Sequence, residues 1–505
     1  VCTTAGKRRQ FSGRGIDMST TGMLLAVAPE VVPDLAQADS IQLKFTITAG
    51  SMPEGYEMDV AIKATLVRCL SEPDGTTLCG VAFEESLAQY AAKKKDRYLL
   101  PLSALLLFMI TAFILLMRAE SVLYFEFNKT LYAYSLIAAA FLLTRYLFAV
   151  FYRPVPVDPA YTPGVSIIIP CFNEEAWIQR TILGCINQDY PIDKLEVIVV
   201  DDCSHDQSPA KIEEIIAELN SQNARYDIDR RIHFVRQPQN AGKREALAKG
   251  ALLARHDLVV FVDSDSFLDP FAIRHLVQPF KDGQMGGVSG RTDVANTYTN
   301  ALTKMQAVRY YIAFRVMKAA ESCFDAVTCL SGPLSCYRKD LVLQHLDAWL
   351  NQRFWGEKAT FGDDRSMTNF ILRHHRTAYQ DSAVCHTIVP NDYGVFLKQQ
   401  MRWKRSWLRE SLIAGSFMWK KEPLMALTFY MGVLVPVLAP FIVLYNLLYI
   451  PLAHRVWPTT FLIGIALMAF LMSAAQLLLR KSSTWVFGFW FCLFYEAVLR
   501  WHLLV

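Results

Sequence analysis

Three short acidic clusters lie along the middle of the chain, and their carboxylates could hold a divalent cation. They are Asp201 with Asp202, Asp263 with Asp265, and Asp363 with Asp364. Two carboxylates that are separated by one residue lie on the same side of an extended segment, where their oxygens can bind a hard cation. Such a cation would offset the charge of a diphosphate and assist its departure. A carboxylate at a strand end is also often a helix N-cap or a turn former, so the clusters carry weight only together.

The elements that precede the first two clusters predict where the acidic residues meet. Continuous apolar runs at 165–170, 195–200, 232–235 and 257–262 are typical of parallel strands that are buried on both faces. Segments with helical periodicity lie between these runs, so the region 160–390 is predicted to be a doubly wound α/β domain. Ligands of such sheets bind beyond the carboxyl ends of the strands, and the acidic residues fall there.

Long apolar stretches on both sides of this region predict a membrane protein. Of the 505 residues, 53% are hydrophobic and 19% are charged, which argues against a disordered chain and against an ordinary soluble enzyme. Candidate spans lie at 98–117, 130–152, 424–453, 459–479 and 484–505. Two spanning helices are therefore expected in 98–152. Three or four are expected in 424–505, because Pro436 and Pro440 could split one stretch in two.

Basic residues beside two of the spans predict the orientation of the chain. They are Lys93, Lys94, Lys95 and Arg97 before the first span, and Lys420 and Lys421 before the third. The positive-inside rule then places the amino-terminal and central regions in the cytoplasm, and the opposite orientation is the alternative. The eleven cysteines form no CxxC pair and have an odd total, which favours a reducing compartment. The chain opens at Val1 without a signal-peptide pattern, which favours a truncated start.

Residues 1–92 are predicted to form a small β domain. Apolar and polar residues alternate over 59–70, with Val60, Ile62, Ala64 and Leu66 on one face. Short strands separated by Gly and Pro suggest a barrel or a sandwich. The net charge of +4 is small, which argues against a nucleic-acid partner.

The order and spacing of several motifs resemble those of processive family-2 glycosyltransferases. The motifs are the three acidic clusters, the third preceded by Gly362, and a QxxRW element that ends at Trp403. LSGPLSCYR, FGDDRSMTN and KQQMRWKRSWLRE are more similar to hyaluronan synthases and chitin-oligosaccharide synthases than to cellulose synthases. The resemblance implies a GT-A-like glycosyltransferase domain at 160–390, embedded in a multi-span α-helical membrane protein. Interfacial amphipathic helices with QxxRW would occupy 391–423.

The resemblance also implies roles for single residues on the donor side of the site. The residues that match donor-binding positions are Phe172, Glu174, Asp201, Asp202, Lys243, Asp263, Gln399 and Arg402. Asp265, with Asp263 beside it, matches the ligand of a Mn²⁺ or Mg²⁺ ion on the diphosphate. Asp364 matches the general base that takes the proton of the acceptor hydroxyl during inversion at the sugar.

On the acceptor side, the resemblance implies roles for Asp363 and for Trp403, whose flat face and N–H suit a terminal sugar. The alternative for Trp403 is an interfacial helix whose Trp and Arg side chains anchor at the headgroups. Trp355 and Gly356 could form a gate over the bound donor, although Trp355 could equally be core. Cys329 matches a family cysteine near the acceptor, and a buried, inert thiol is the preferred interpretation.

The amino-terminal domain contains a DxSxxG motif that resembles part of a PilZ domain, a receptor for cyclic-di-GMP. The residues matched to the nucleotide are Arg8, Arg9, Asp17, Ser19 and Gly22. The RxxxR arm of that family normally precedes the motif, and this chain begins too late to contain it. Two alternatives stay open: the arm was lost with the true amino terminus, or the domain no longer binds the nucleotide.

Together these features predict a processive, inverting membrane transferase that polymerises sugars from UDP-activated donors into a β-linked exopolysaccharide. A hyaluronan-like product is the first expectation, and a chitin-like or other polymer is close behind. The expected location is the bacterial inner membrane, with cyclic-di-GMP as an allosteric activator and with export proteins of the periplasm or outer membrane as partners. The alternatives are a non-processive transferase that glycosylates a lipid, and a catalytically dead, nucleotide-sensing membrane scaffold.

Overall fold

The amino-terminal domain is a single antiparallel sheet. The computed structural model describes residues 2–4, 7–38, 40–71, 77–93, 101–102, 104–110, 112–113, 129–221, 227–477 and 482–499. The seven strands follow the order Lys7–Arg9, Cys2–Thr4, Ser40–Ile47, Met58–Ser71, Thr77–Phe83, Gly22–Val27 and Arg14–Met18. Val60, Ile62 and Ala64 are buried on one face, which confirms the predicted alternation. All the described strands belong to one sheet, and its edge strands Lys7–Arg9 and Arg14–Met18 do not pair with each other. In the described residues the domain is therefore an open, partial barrel, neither a closed barrel nor a sandwich of two sheets. The helices of this domain are Pro29–Val31, Val32–Ala36 and Leu87–Lys93.

This domain docks directly on the central domain. The Glu54 carboxylate lies 2.7 Å from the Arg180 guanidinium, and the Tyr56 hydroxyl lies 3.1 Å from Nε2 of His386. Gly55 lies between them with a φ of +75°, and a Cβ at this position would come within 2.6 Å of the carbonyl oxygen of Ala295. Only glycine allows both this backbone conformation and this approach.

The central domain contains an eight-stranded mixed sheet. Its strand order is Ile232–Arg236, Leu195–Asp201, Val165–Cys171, Leu258–Phe261, Ser335–Arg338, Met285–Val294, Arg376–Thr387 and Ser266–Leu268. The four apolar runs of the sequence form its first four strands, all mutually parallel, as predicted. The other half is mixed, because Ser335–Arg338 pairs antiparallel with both of its neighbours. A two-stranded hairpin of Arg353–Phe354 and Glu357–Lys358 lies apart from this sheet.

Helices cover both faces of the sheet, where they bury its apolar side chains. They are Ile178–Ile186, Ile192–Lys194, Ser208–Ser221, Ile228–Arg231, Lys243–Leu253, Ala272–Leu276, Gln278–Lys281, Ala301–Ile312, the π-helix Ala313–Lys318, Ala319–Ser322, Lys339–Leu350 and Asp363–Leu372. Ile178–Ile186 and Ser208–Ser221 lie between the first three apolar runs of the sequence, which confirms the helices predicted there.

Further helices flank the central domain. They are Lys129–Phe151, Tyr393–Met418, Pro423–Leu444, the π-helix Tyr445–Tyr449, Ile450–His454, Thr459–Ala475, Ser483–Trp485 and Val486–Ala497. In the part of the chain that is described, two helical stretches are long and apolar enough to cross a membrane, Ala133–Phe151 and Pro423–His454. The helix continues through Pro436 and Pro440, so these prolines do not divide it into two spans. The predicted span 98–117 is described only in part, at 101–102, 104–110 and 112–113.

Arg145, the only charged residue within the predicted span 130–152, is joined to the central domain. Its guanidinium lies 3.5 Å from Oε1 of Glu321, and both side chains are largely buried. Oε2 of Glu321 accepts hydrogen bonds from the backbone N–H and the hydroxyl of Thr328 at 2.9 and 3.1 Å. A buried charge requires such a partner, so the position of the charge in the helix is explained by this ion pair.

Candidate active site

The second and third acidic clusters meet at Lys243. Its ammonium lies 2.6 Å from Oδ1 of Asp263 and 3.5 Å from Oδ2 of Asp363. Although burial lowers the pKa of Lys243, Asp263 and Asp363 raise it, and the net pKa is raised. These side chains line one cleft, which also includes Asp364 and Gly332. The edge of the sheet therefore assembles carboxylates that lie about 100 residues apart along the chain.

Asp201 and Asp202 use their carboxylates to shape the loop before Lys243. The two oxygens of Asp202 accept hydrogen bonds from the backbone N–H groups of Ala241 and Gly242, each at 2.8 Å. Asp201 accepts from the N–H of Ser204 at 3.2 Å. Both aspartates are buried, so these contacts fit the turn-forming interpretation of a strand-end carboxylate. They fix the start of the helix that presents Lys243.

Phe172 and Glu174 lie on the neighbouring strand end. Phe172 is 41% exposed, and its ring is edge-to-face with that of His205. Glu174 donates its backbone N–H to the hydroxyl of Ser208 at 2.7 Å. Burial, and then the charges of Asp265 and Asp263, raise the pKa of the Glu174 side chain to about 7. Its carboxylate therefore belongs to the same acidic group as the second cluster.

Asp265 is suited to a cation that also binds phosphate. Burial and the neighbouring Asp263 raise its pKa to about 6, and its Oδ1 accepts weakly from the hydroxyls of Ser266 and Thr387, each at 3.3 Å. Within the described ranges, no three His, Cys, Asp or Glu side chains form a cage for a metal ion. Mg²⁺ and Mn²⁺ are often held by one or two carboxylates together with substrate phosphates. The donor set of Asp263 and Asp265 fits that mode of binding.

Asp364 lies in the first turn of the helix Asp363–Leu372. The helix begins after Gly362, whose φ is +76°. Oδ1 of Asp364 accepts from the N–H of Arg365 at 2.7 Å, and Oδ2 accepts from the thiol of Cys329 at 3.4 Å. Burial, and then Asp363, raise the pKa of Asp364. Burial raises the pKa of Cys329 to about 11, so this thiol stays protonated, as the interpretation of an inert thiol requires.

The QxxRW residues lie on the helix Tyr393–Met418. Trp403 is 37% exposed and Arg402 is exposed, whereas Oε1 of Gln399 is buried and has no hydrogen-bond partner among the described residues. The Trp403 ring lies 6.4 Å from that of Tyr310. Burial raises the pKa of Tyr310, and Asp265, Asp263 and Asp364 add to that rise. Trp403 therefore lies near the rim of the acidic cleft.

Three positions near the site were not identified from the sequence. The Arg309 guanidinium donates to Oε1 of Gln400 and lies 5.2 Å from the Trp403 ring centre. A Cβ on Gly332 would come within 3.2 Å of Asp263 and Lys243. Glu410 accepts from the side-chain amides of Asn369 and Gln352, and so ties the QxxRW helix to the helix of Asp364. Glu410 lies within the quoted KQQMRWKRSWLRE segment, and that was the signal for it.

The predicted gate is the hairpin of Arg353–Phe354 and Glu357–Lys358. Trp355 and Gly356 form its turn with φ values of +51° and +89°. Trp355 is 88% exposed and stacks on Phe354 with ring centres 4.7 Å apart. The alternative that Trp355 belongs to the core is therefore wrong, because its side chain projects from the turn. Movement of this hairpin stays a prediction.

The DxSxxG residues form a turn at the end of Arg14–Met18. Oδ1 of Asp17 accepts from the backbone N–H of Met18 at 2.8 Å, and the Ser19 hydroxyl accepts from the backbone N–H of Thr21 at 3.3 Å. A Cβ on Gly22 would lie 2.6 Å from the carbonyl oxygen of Val81, so the motif glycine is required by packing. Arg9 is paired with Asp34 at 2.8 Å, and the side chain of Arg8 lies outside the described residues.

Comparison with known proteins agrees with this geometry. Residues 166–346 match the model of glycosyl transferase family 2, residues 258–499 match glycosyl transferase family group 2, and residues 1–99 match the PilZ domain. A hyaluronan synthase of Streptococcus pyogenes is 34% identical over 289 residues, which are 57% of this chain and 67% of that protein. An N-acetylglucosaminyltransferase of Mesorhizobium japonicum is 37% identical over 257 residues, 50% of this chain and 58% of that protein.

One solved structure shares the fold of the central region. It is a mannosyltransferase from Pyrobaculum calidifontis in complex with GDP-Man and Mn²⁺, with a TM-score of 0.51 and 22% sequence identity. The alignment covers 72% of this chain and 96% of that one, and it supports a GT-A-like fold. The family matches, the relatives and the cleft agree: the chain belongs to the family-2 glycosyltransferases and carries an amino-terminal PilZ domain.

Proposed function

We propose that the chain is an inverting synthase that adds sugars from UDP-activated donors to a growing β-linked polysaccharide. The observation that carries this proposal is the meeting of Asp263 and Asp363 at Lys243, in a cleft that Asp364 also lines. Asp263 and Asp265 would hold Mn²⁺ or Mg²⁺, which when bound offsets the charge of the diphosphate. Phe172, Glu174 and the loop shaped by Asp201 and Asp202 would bind the uridine end.

The chemistry left to the protein is positioning and one proton transfer. Lys243 supplies a fixed positive charge at the Asp263 end of the cleft, where the diphosphate would lie. Asp364 accepts the proton of the acceptor hydroxyl as that oxygen attacks the sugar from the face opposite the UDP. Trp403 stacks on the terminal sugar, while Gln399, whose Oε1 makes no described hydrogen bond, and Arg402 complete the donor site. Asp363 faces the acceptor, and Trp355 with Gly356 closes over the donor.

We further propose that the enzyme is processive and passes its product through a multi-pass bundle in the bacterial inner membrane. The apolar stretches Ala133–Phe151 and Pro423–His454 support this, because they flank the transferase domain on both sides. The helix with Trp403 ends at Met418, five residues before the second stretch begins at Pro423. A sugar chain that leaves Trp403 would thus be close to the bilayer. Export proteins of the periplasm or outer membrane would receive it.

The decisive experiment supplies membranes that contain the full chain with each UDP-sugar, singly and in pairs, and measures UDP release and product size. UDP release together with a long polymer supports the proposal, and the active donor or pair of donors identifies the polymer. A hyaluronan-like product requires both a GlcNAc and a glucuronate donor, whereas a chitin-like one requires GlcNAc alone. A single glycolipid refutes processivity. No UDP release with any donor favours the catalytically dead scaffold.

We also propose that cyclic-di-GMP regulates this activity through contacts between the two domains. The carbonyl of Thr20, in the DxSxxG turn, accepts from the backbone N–H of Leu87 at 2.8 Å. The carbonyl of the next residue, Ala88, accepts from the guanidinium of the buried Arg291 at 3.4 Å. Asp293 then joins Arg291, at 3.2 Å, to Arg315 of the π-helix, at 3.7 Å. A nucleotide that moves the turn would shift these buried charged groups, and the shift would extend to the π-helix of the central domain.

A further inference from the structure

A partly buried lysine at the end of the π-helix has no role in the site described so far. The Lys318 ammonium donates to the hydroxyl of Ser331 at 2.6 Å and to that of Ser289 at 3.0 Å, and it lies 4.4 Å from the ring centre of Phe314. These partners are all uncharged. A lysine held in this way keeps its charge unneutralised by contact, so its field acts on its surroundings. Single-turn π-helices are frequent at functional sites.

The loop that Lys318 holds contacts both ends of the acidic cleft. At one end, the thiol of Cys329 donates to Oδ2 of Asp364 at 3.4 Å. At the other end, Gly332 lies against Asp263 and Lys243. Ser331 is between these ends, so its bond to Lys318 sets the position of the loop 329–332. Tyr337 also reaches this loop, through a hydrogen bond of 3.4 Å to the carbonyl of Leu330.

Lys318 and Asp364 are surrounded by overlapping groups of charged and titratable side chains. Those that face Lys318 are Cys329, Asp364, Arg365 and Glu321. Those that face Asp364 are Asp363, Arg365, Lys243, Cys329 and Lys318. Burial lowers the pKa of Lys318 to about 8, and Cys329 and Asp364 oppose this fall. The ammonium therefore still carries its proton at neutral pH.

We propose that Lys318 is a positioning residue for the acceptor side of the site: through Ser331 it holds the loop 329–332, whose Cys329 thiol donates to Asp364. The inference rests on the proposed role of Asp364 as general base. Lys318 contacts neither the cation ligands nor the diphosphate end of the cleft in this arrangement, and it acts through its neighbours.

The test compares Lys318→Met and Lys318→Arg in the full chain in membranes, with Lys249→Met as the control. Lys249 is exposed on the helix Lys243–Leu253. Two readouts are taken: kcat for UDP release against pH, and the rate of hydrogen exchange in the loop 329–332, resolved by peptide mass spectrometry. The second readout needs no turnover, so it separates a failure of this inference from a failure of the proposed function.

We expect Lys318→Met to lower kcat about a hundredfold at neutral pH, because a misplaced acceptor loop costs about that much. The acid limb of the pH profile should move to higher pH, because Asp364 loses a nearby positive charge and the firm placement of the Cys329 thiol. Hydrogen exchange in the loop 329–332 should become faster, because the bond from Lys318 to Ser331 is lost. Lys318→Arg should recover most of the activity, the pH profile and the slow exchange of the loop. Lys249→Met should match the parent chain.

The inference is overturned if Lys318→Met leaves the pH profile and the exchange of the loop 329–332 unchanged, or if Lys318→Arg is as impaired as Lys318→Met. If the parent chain releases no UDP, the proposed function fails. Hydrogen exchange then decides the inference alone: faster exchange of the loop in Lys318→Met supports the positioning role, and unchanged exchange refutes it.

Discussion

Asp364 is the residue on which the proposed chemistry depends most. Its carboxylate is held by the N–H of Arg365 and by the thiol of Cys329, and burial followed by Asp363 raises its pKa. A base whose pKa lies closer to the working pH removes a proton more effectively than a surface aspartate does. Asp364 must be ionised to act, so we expect kcat to fall as the pH falls through this raised pKa.

Asp364→Asn should abolish turnover but not donor binding. The amide cannot accept the proton, so kcat should fall by about 10² to 10⁴. The Lys243–Asp263 pair stays intact, so the affinity for UDP should be largely unchanged. UDP release and a UDP titration measure the two quantities. Asp193→Asn, at an exposed position, is the control. Loss of UDP affinity in Asp364→Asn would identify another residue as the base.

Cation binding should depend on Asp265 and on pH. A carboxylate binds a cation only when it is ionised, and the pKa of Asp265 is about 6 without the cation. Affinity for Mn²⁺ should therefore weaken as the pH falls below that value, and Asp265→Asn should lose most of it. Mn²⁺ titration monitored by electron spin resonance measures both effects. Excess chelator should stop UDP release, with Mg²⁺ or Mn²⁺ restoring it, and full activity in chelator contradicts the assignment.

Site residues could be predicted when they belong to a sequence motif, and could not when their role depends on contacts made only in the folded chain. Asp263 and Asp363 were expected in one site, and they share Lys243. Lys318 and Arg309 were missed because each acts through side chains that are distant in sequence, Ser331 and Gln400. No local pattern marks such partners. Asp202 was assigned to the donor, whereas the structure directs both of its oxygens at backbone N–H groups.

At the scale of elements, two helices meet at Gly362. A Cβ at this position would lie 1.8 Å from the hydroxyl of Ser406, on the QxxRW helix, and its φ of +76° disfavours any other residue. Gly362 thus brings the helix of Asp364 and the helix of Trp403 into contact. This contact sets the distance between Asp364 and Trp403.

Gly362→Ala should separate the two helices and lower activity. The left-handed conformation alone costs about 1–2 kcal/mol for alanine, and the clash with Ser406 adds to it. We expect kcat to fall more than the affinity for UDP does, because the donor end is untouched. UDP release, a UDP titration and thermal unfolding measure these changes. Gly283→Ala is the control, because a Cβ there meets nothing within 4 Å. Unchanged kcat in Gly362→Ala would contradict this account.

The elements themselves were predictable to different degrees. The parallel strands read as continuous apolar runs because both of their faces are covered, and they were found in the sequence. Met285–Val294 contains Gly286, Gly287 and Gly290, and the space left by their missing side chains is filled by Ile371, Leu330 and Leu334. These glycines interrupt the apolar pattern, so the segment cannot be recognised as a strand from its sequence. The mixed half of the sheet escaped prediction for this reason.

At the scale of the whole molecule, the PilZ domain and the transferase domain form one packed unit through Gly55. Gly55→Ala should loosen this docking, because its Cβ would meet the carbonyls of Ala295 and Val294 at 2.6 and 2.7 Å. Gly50→Ala is a matched control: its φ of +79° imposes the same backbone strain, but the nearest atom lies at 3.7 Å.

We expect Gly55→Ala to increase hydrogen exchange at the interface and to reduce any stimulation by cyclic-di-GMP, while Gly50→Ala keeps both near the parent values. Basal UDP release should change little in either variant, because the site lies elsewhere in the central domain. Equal behaviour of the two variants would mean that the interface at Gly55 does not connect the domains.

The ion pair of Arg145 and Glu321 limits where the chain can be truncated to make a soluble fragment. A transferase domain that starts after Lys129–Phe151 would keep the Glu321 carboxylate but lose its counter-ion, Arg145. The unpaired carboxylate would then favour a local opening around Thr328, in which water solvates it. A Glu321→Gln substitution, which keeps the Thr328 contacts without the charge, is the change that such a soluble fragment requires.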